Sequence, residues 1–387
     1  MRLMTAPAFA LIAIAVACTD RDAPATVAEV KATAKPSGTA MDDERARSKR
    51  EEALAVARVW TPTATPIAEM NLRLNPSGPR SFADDQEVDC RFVLEHVGGT
   101  TPKFNCELPG GDVVKVKYGA ANAELRAEVA ATRLLNVLGF GADRVYVVQR
   151  VRCAGCPVFP FPALRCYEKT GLKSACFSGA LDYSHSVEFP TAVVERRVDG
   201  RKIEAHPDQG WAWYELDKID PARGGSSDAE VDAVRLLAVF LAHWDNKAEN
   251  QRLVCPPEAE GPDQTCTRPI AIMQDLGSTF GPTKVDLTNW RRYRVWADGA
   301  TCKVSMKTLP FAGATFKDRH ISEAGRLFLL GLLEQLSDGQ IRDLFEGSQM
   351  TRYDQFTAES RNPTAWVRAF KDKVNQIREA GPCPTAS

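Results

Sequence analysis

Two short segments in the second half of the chain hold residue types that can do chemistry together: His243-Trp244-Asp245-Asn246-Lys247-Ala248-Glu249-Asn250 and Gln274-Asp275-Leu276-Gly277-Ser278-Thr279-Phe280-Gly281. An aspartate with an asparagine five positions later, followed by a separate Asp-Leu-Gly, is a spacing that phosphoryl transfer uses. One carboxylate orients an attacking hydroxyl and accepts its proton. An amide oxygen and a second carboxylate hold a divalent metal against a polyphosphate. Glycine two positions after the metal-binding aspartate lets the backbone turn sharply there. Taken singly, Asp245, Asn250 and Asp275 read equally well as loop or helix-cap residues. Their order, and the apolar helix in front of them, favour the chemistry.

The elements that must position these groups are legible from periodicity. Short strands with turn signals run over residues 85–119, and Pro109-Gly110-Gly111-Asp112 precedes Val113-Val114-Lys115-Val116-Lys117-Tyr118 as in a hairpin. In that strand Val114, Val116 and Tyr118 share one face and Lys115 and Lys117 the other. A helix is predicted over 122–138, stopping at Gly139, with Glu128 in line with Ala131, Leu135 and Leu138. A carboxylate on that inward stripe needs a cation partner. Another strand is predicted over 191–196. Ser227-Asp228-Ala229-Glu230 fits a capping box opening an apolar, all-round buried helix to about Ala242; Ser337 with Gln340, and Asn362 before Pro363, mark further helix starts. The sum is an α+β fold: a β-rich N-terminal lobe with one helix, joined through a strand to an α-rich C-terminal lobe.

Four segments in order, Val116-Lys117-Tyr118-Gly119, Ala127-Glu128-Val129 running into Arg133-Leu134-Leu135, Trp244 to Asn250, and Asp275 to Gly281, resemble an atypical-kinase family. The pattern is similar to bacterial proteins grouped with the phosphatidylinositol 3-/4-kinase-like and HipA-like folds, and more distantly to secretory-pathway protein kinases. It covers roughly residues 85–350. The resemblance implies a two-lobed atypical protein-kinase-like fold that binds ATP and Mg2+ or Mn2+ between its lobes. It implies that Lys117 contacts the phosphates and is held by Glu128, that Asp245 is the catalytic base and Lys247 a γ-phosphate contact, and that Asn250 and Asp275 are metal ligands. Val194, Glu195 and Arg196 would form the hinge strand offering backbone hydrogen bonds to adenine. Shared faces leave Lys115 open for Lys117 and Glu124 for Glu128; the family pattern selects Lys117 and Glu128. Two departures stand out. The Pro109-Gly110-Gly111 turn is not a G-x-G-x-x-G loop, and His243-Trp244 replaces the His-Arg of ordinary protein kinases.

The chain of 387 residues carries 49 Lys+Arg against 50 Asp+Glu, so no polyanion-binding excess of charge argues for a nucleic-acid partner. Residues 1–17 read as a cleaved signal, and Ala15-Val16-Ala17-Cys18 resembles a lipobox in which Cys18 is lipidated. The expected organisation is therefore signal peptide 1–17, flexible tether 18–50, N-lobe with a cysteine-rich insertion 51–200 and helical C-lobe 201–387. The protein is expected to be exported to the cell envelope, touching the membrane through its lipid alone, with the outer membrane favoured by Thr19. Ten cysteines besides Cys18 suit five disulfides in an oxidising compartment, with Cys90–Cys106 and Cys255–Cys266 as local staples. The function expected is phosphoryl transfer from ATP to a hydroxyl of a protein or small molecule. A different class of reading is a catalytically silent kinase-fold lipoprotein serving as a binding or envelope-assembly module. A third is a redox or zinc protein built on Cys153 and Cys156. No G-x-S-x-G element or assembled cysteine nucleophile supports a hydrolase.

Overall fold

The computed structural model describes residues 40–122, 124–177, 181–206, 209–282, 285–310, 312–352 and 357–384. The expected signal segment and Cys18 lie outside the described residues. The strands are β1 (Glu87–Val93), β2 (Lys103–Glu107), β3 (Val113–Tyr118), β4 (Arg144–Val147), β5 (Arg150–Ala154), β6 (Ser186–Phe189), β7 (Ala192–Arg196), β8 (Arg201–Lys202), β9 (Gln251–Cys255), β10 (Ile270–Met273), β11 (Lys303–Val304) and β12 (Arg319–His320). The helices are α1 (Ala40–Ala55), α2 (Glu124–Leu138), α3 (Pro160–Thr170), α4 (Lys173–Phe177), α5 (Asp228–Leu241), α6 (Leu287–Arg292), α7 (Glu323–Leu333), α8 (Asp338–Gly347) and α9 (Pro363–Glu379).

A seven-stranded sheet in the order β4-β7-β3-β2-β1-β5-β6 forms the first lobe. The expected alternation in β3 is real: Val114 and Val116 enter a core with Phe92, Phe104, Tyr146 and Phe189, leaving Lys115 and Lys117 on the opposite face. The cysteine-rich insertion is β5-α3-α4-β6, which extends the sheet past β1 through a parallel β1–β5 pairing. A second core, centred on α5, gathers α2, α7, α8, α9 and β9–β10. Leu236, Leu237, Val239, Phe240 and Leu241 of α5 are wholly buried, each worth about 1.5–3 kcal/mol of burial. The helix opens at the predicted Ser227–Glu230 capping box and ends at Ala242, whose φ of +55° breaks the helical path. Gly139 ends α2 as expected, with φ +85° and no room for a side chain, since a Cβ there would lie 2.3 Å from the Thr61 carbonyl oxygen. The two-lobed α+β architecture expected from the sequence is the one observed.

One segment differs from expectation. Residues 40–50, given to the tether, are helical in α1. That helix has no apolar stripe; it is fixed by the buried Arg50, which donates to Glu215 at 2.7 and 2.8 Å and to the Gly210 carbonyl at 2.8 Å, and by Ala53 and Leu54 in the helical core. Val59, Ile67 and Leu72 pack in that same core, so by packing residues 53–72 go with the helical lobe.

The ten cysteines form disulfides Cys90–Cys106, Cys153–Cys156, Cys166–Cys176, Cys255–Cys266 and Cys302–Cys383. Both predicted local staples are present, and Cys153–Cys156 is one of the five disulfides expected from the cysteine count. No helix among the described residues is long and apolar enough to cross a membrane.

Candidate active site

Lys117 sits where three chain regions meet. Its strand is central in the sheet, paired with β2 on one side and β7 on the other, which fixes the direction of its side chain. The Nζ lies 2.5 Å from Glu128 Oε1, 2.9 Å from Asp275 Oδ1 and 3.2 Å from Glu195 Oε2. Lys117, Glu128 and Glu195 are buried, whereas the Asp275 side chain remains 36% exposed toward the cleft. Lys115, two positions back, pairs instead with Glu195 at 2.5 Å. The shared-face ambiguity is thereby resolved by geometry: Lys117 is the lysine joined to both Glu128 and Asp275. Glu124, the alternative to Glu128, accepts from the Thr101 hydroxyl. Neither Arg133 nor Arg126 pairs with Glu128; Arg133 binds the carbonyls of Leu72 and Arg73, and Arg126 reaches Gln349.

The electrostatics follow from this crowding. Burial works against the Lys117 ammonium, but Asp275, Glu128 and Glu195 outweigh it and hold its pKa well above the usual lysine value. Lys117 in turn holds Asp275 well below the usual carboxylate range, so that carboxylate stays ionised. Burial pushes Glu128 up to about 7 against the pull of Lys117. Glu195 goes the other way in spite of its burial, lowered to about 2 by Lys115 and Lys117.

The loop after α5 brings the second set of groups. His243 is wholly buried, and burial lowers it to about 4, with Asp245 and Asp275 both acting in the opposite sense on the same imidazole. The Asp245 carboxylate is contacted by Lys247 Nζ at 3.3 Å, and the Asn250 Nδ2 donates to the Asp245 carbonyl at 2.7 Å. With Nδ2 committed, Oδ1 is the Asn250 atom left to face a cation. The β9–β10 hairpin sets the spacing: Gln251 pairs with Met273, and the Gln274 amide donates to the Asn250 carbonyl at 3.0 Å, which places Asn250 beside the start of the Asp275 turn. Asp275 adopts φ +53°, a left-handed conformation that aspartate and asparagine tolerate better than most residues. Asn246 braces the loop by accepting from the Thr315 and Phe316 amides at 3.1 and 3.0 Å.

Beside this cluster a cavity of about 420 Å3 runs between the sheet face and β8–β9, lined by Asn105, Lys115, Glu195, Arg196, Gly200 and Arg252 among others. Its walls are unusually polar for a nucleobase site, carrying the Lys115–Glu195 pair and Arg252, which binds the buried Asp143.

The hinge expectation needs correction. Val194 and Glu195 are flanked by β3 on one side and β4 on the other, so their backbone groups are spent in the sheet. Glu195 contributes its side chain to the two lysines instead. Arg196 pairs only with Arg144 of β4 through the backbone and binds Asp112 through its guanidinium. Backbone outside strand pairing starts at Arg197, where the chain crosses toward β8. The Pro109-Gly110-Gly111 turn, which departs from the G-x-G-x-x-G pattern, joins β2 to β3 at the end of the strand remote from Lys117. The turn near Lys117 is Gly98-Gly99-Thr100-Thr101, between β1 and β2. Sequence reasoning also missed Asn246 and the Glu195 side chain. Asn246 lay inside the recognised motif; for Glu195 a strand buried on both faces shows no alternation to mark it.

The donor set fits a hard dication with a polyphosphate: two carboxylates and an amide oxygen on adjoining loops, with lysines on the strand above. No protein-family profile matches the chain, and no curated protein does. Among solved structures, the chain is similar to the Helicobacter pylori proinflammatory kinase CtkA, at 11% identity over 76% of this chain and 97% of that one, with a TM-score of 0.41. It is also similar to the Golgi casein kinase with Mn/ADP bound, at 13% identity over 77% of this chain and 74% of that one, with a TM-score of 0.34. At these scores neither likeness carries an argument, and the reading of the site rests on the chain's own geometry.

Proposed function

We propose that the protein is an ATP-dependent phosphotransferase with a hydroxyl as acceptor, working in the cleft between its sheet and its helical lobe. The observation that carries this is Lys117 joined to Glu128 at 2.5 Å and to Asp275 at 2.9 Å, which ties a strand, a helix and a distant loop into one charged cluster that shares Glu195 with the wall of the cavity. In this reading Lys117, kept charged by its carboxylates, meets the phosphates of the nucleotide. Asp275 and Asn250 would hold Mg2+ or Mn2+, which when bound neutralises charge on the phosphates. Asp245 orients the acceptor hydroxyl and takes its proton, and Lys247, 39% exposed beside it, reaches toward the group being transferred. The neutral, buried His243 supports the loop from behind.

Incubating the purified, disulfide-formed protein with γ-labelled ATP and Mn2+ should label the protein itself or an added hydroxyl acceptor. Asp245→Asn should cut that labelling by about 100-fold or more. Nucleotide binding without transfer by the wild type would refute the catalytic step, and absence of both nucleotide binding and transfer would leave the catalytically silent binding or envelope-assembly module.

We further propose that the chain is exported and lipid-anchored through Cys18. The five disulfides support an oxidising compartment. Labelled palmitate should enter the wild type and not Cys18→Ser.

A further inference from the structure

We propose that Lys103 is a second polyphosphate-binding cation of this site, seated under the Gly98-Gly99 turn and acting beside Lys117. The proposal rests on the phosphotransferase reading and names a contact which that reading lacks. Lys103 opens β2 directly across from Lys117, its Cα partner in the β2–β3 pairing. Phe104 and Cys106, the alternate residues of that strand, lie in the aromatic core, which leaves Lys103 and Asn105 on the cleft face. Lys103 is only 5% exposed, yet among the described residues its amine makes no hydrogen bond and no ion pair. Asp275 attracts it from beyond contact and Lys117 and Lys115 repel it, while burial lowers its pKa.

With the residue only 5% exposed, the Lys103 ammonium keeps little contact with water, and an anionic partner would stabilise it. The nearby carboxylates are already committed, Glu128 and Asp275 to Lys117 and Glu195 to both Lys115 and Lys117. The partner this amine could take is therefore an anion from outside. The turn above is shaped for one: Gly99 has φ +77°, and a Cβ there would lie 3.1 Å from Lys103 Nζ, so the turn and the amine are in close approach. Among the described residues the amides of Gly98, Gly99 and Thr100 donate to no protein acceptor. The far side of the turn is pinned by Thr101 to Glu124, whose Cβ comes within 2.9 Å of where a Gly277 side chain would start, so the turn reaches the Asp275 loop. An ammonium, open amides and Lys117 on one side of a metal-binding aspartate suit linked phosphates, not a nucleobase.

Titration calorimetry of the full chain with Mn-ATP, adenosine and inorganic tripolyphosphate tests this in wild type, Lys103→Met and Lys103→Arg. Loss of a charge-assisted contact should weaken ATP and tripolyphosphate by about 20-fold in Lys103→Met, with adenosine unchanged. Lys103→Arg should stay within about 3-fold of wild type for all three, and Lys103→Met should melt no lower than wild type without ligand, since an unpaired charge has been removed. Equal tripolyphosphate binding by wild type and Lys103→Met, parallel loss of adenosine, or a lower unliganded melting point would overturn the proposal. If wild type binds neither ATP nor adenosine, the phosphotransferase reading fails by itself, and the tripolyphosphate arm still decides on Lys103. No tripolyphosphate binding by wild type also overturns it.

Discussion

Replacing Asp275 by asparagine separates the site from the fold. Asparagine is isosteric and tolerates the φ of +53° at this position, so the turn is expected to survive where alanine would strain it. Lys117 keeps Glu128 at 2.5 Å and Glu195 at 3.2 Å. The lost pair involves a side chain that is 36% exposed, and solvent screening limits its worth to about 1 kcal/mol. For 387 residues, an unfolding entropy of about 2.1 cal/mol/K per residue gives roughly 0.8 kcal/mol/K, so the unliganded variant should melt within about 1–2 °C of wild type. Mn-ATP at about 100 times its Kd should stabilise wild type by about 2.7 kcal/mol, a rise of about 3 °C. Asp275→Asn, lacking an ionised metal ligand, should lose nearly all of that rise. Scanning calorimetry with and without Mn-ATP reads both numbers. An equal nucleotide shift in the two proteins would refute the metal role, and an unliganded melting point lower by 5 °C or more would show Asp275 to be chiefly a structural partner of Lys117.

His243 gives a stability prediction with a defined sign. Its folded pKa of about 4 lies below the ordinary imidazole value of 6.5 that the unfolded chain keeps, so between those values the unfolded state binds the extra proton. Its contribution is intact above pH 6.5 and falls as the pH drops toward 4, by about 3 kcal/mol at 1.36 kcal/mol per unit. Urea unfolding at neutral and mildly acidic pH should show this slope, reduced in His243→Gln; an unchanged slope in the variant would place the effect elsewhere. The Cys302–Cys383 bond closes a separation of 81 residues, and chain-entropy reasoning assigns it about 4 kcal/mol. Serine at both positions should lower the denaturant midpoint far more than the same change at Cys153 and Cys156, which are three residues apart, and equal effects would count against that account.

Strand alternation placed Lys115 and Lys117 on one face, and helical periodicity put the Glu128 carboxylate on an inward stripe where a cation had to meet it. Both patterns are local, so they survive in the sequence, as does the Asp245-Asn250-Asp275 spacing set by a loop and one hairpin. What was hidden depends on pairing between distant segments. The acidic side chain of Glu195 is assigned by β3 on one side and β4 on the other, and no neighbour in sequence announces that. Lys103 matters because β2 lies against β3 in one register. The part of α1 assigned to the tether is held by Arg50 meeting Glu215, an ion pair spanning 165 residues, and not by an apolar stripe of its own.

The disulfides are distributed in a way that bears on how the two cores are held together. Cys90–Cys106 and Cys153–Cys156 lie within the sheet's core, Cys166–Cys176 staples its insertion, and Cys255–Cys266 and Cys302–Cys383 belong to the helical lobe. None of them bridges the cleft. Oxidation thus constrains each half separately, and what holds the two cores to one another is the packing of α2 and the ion pairs of Lys117, with no covalent cross-link between them.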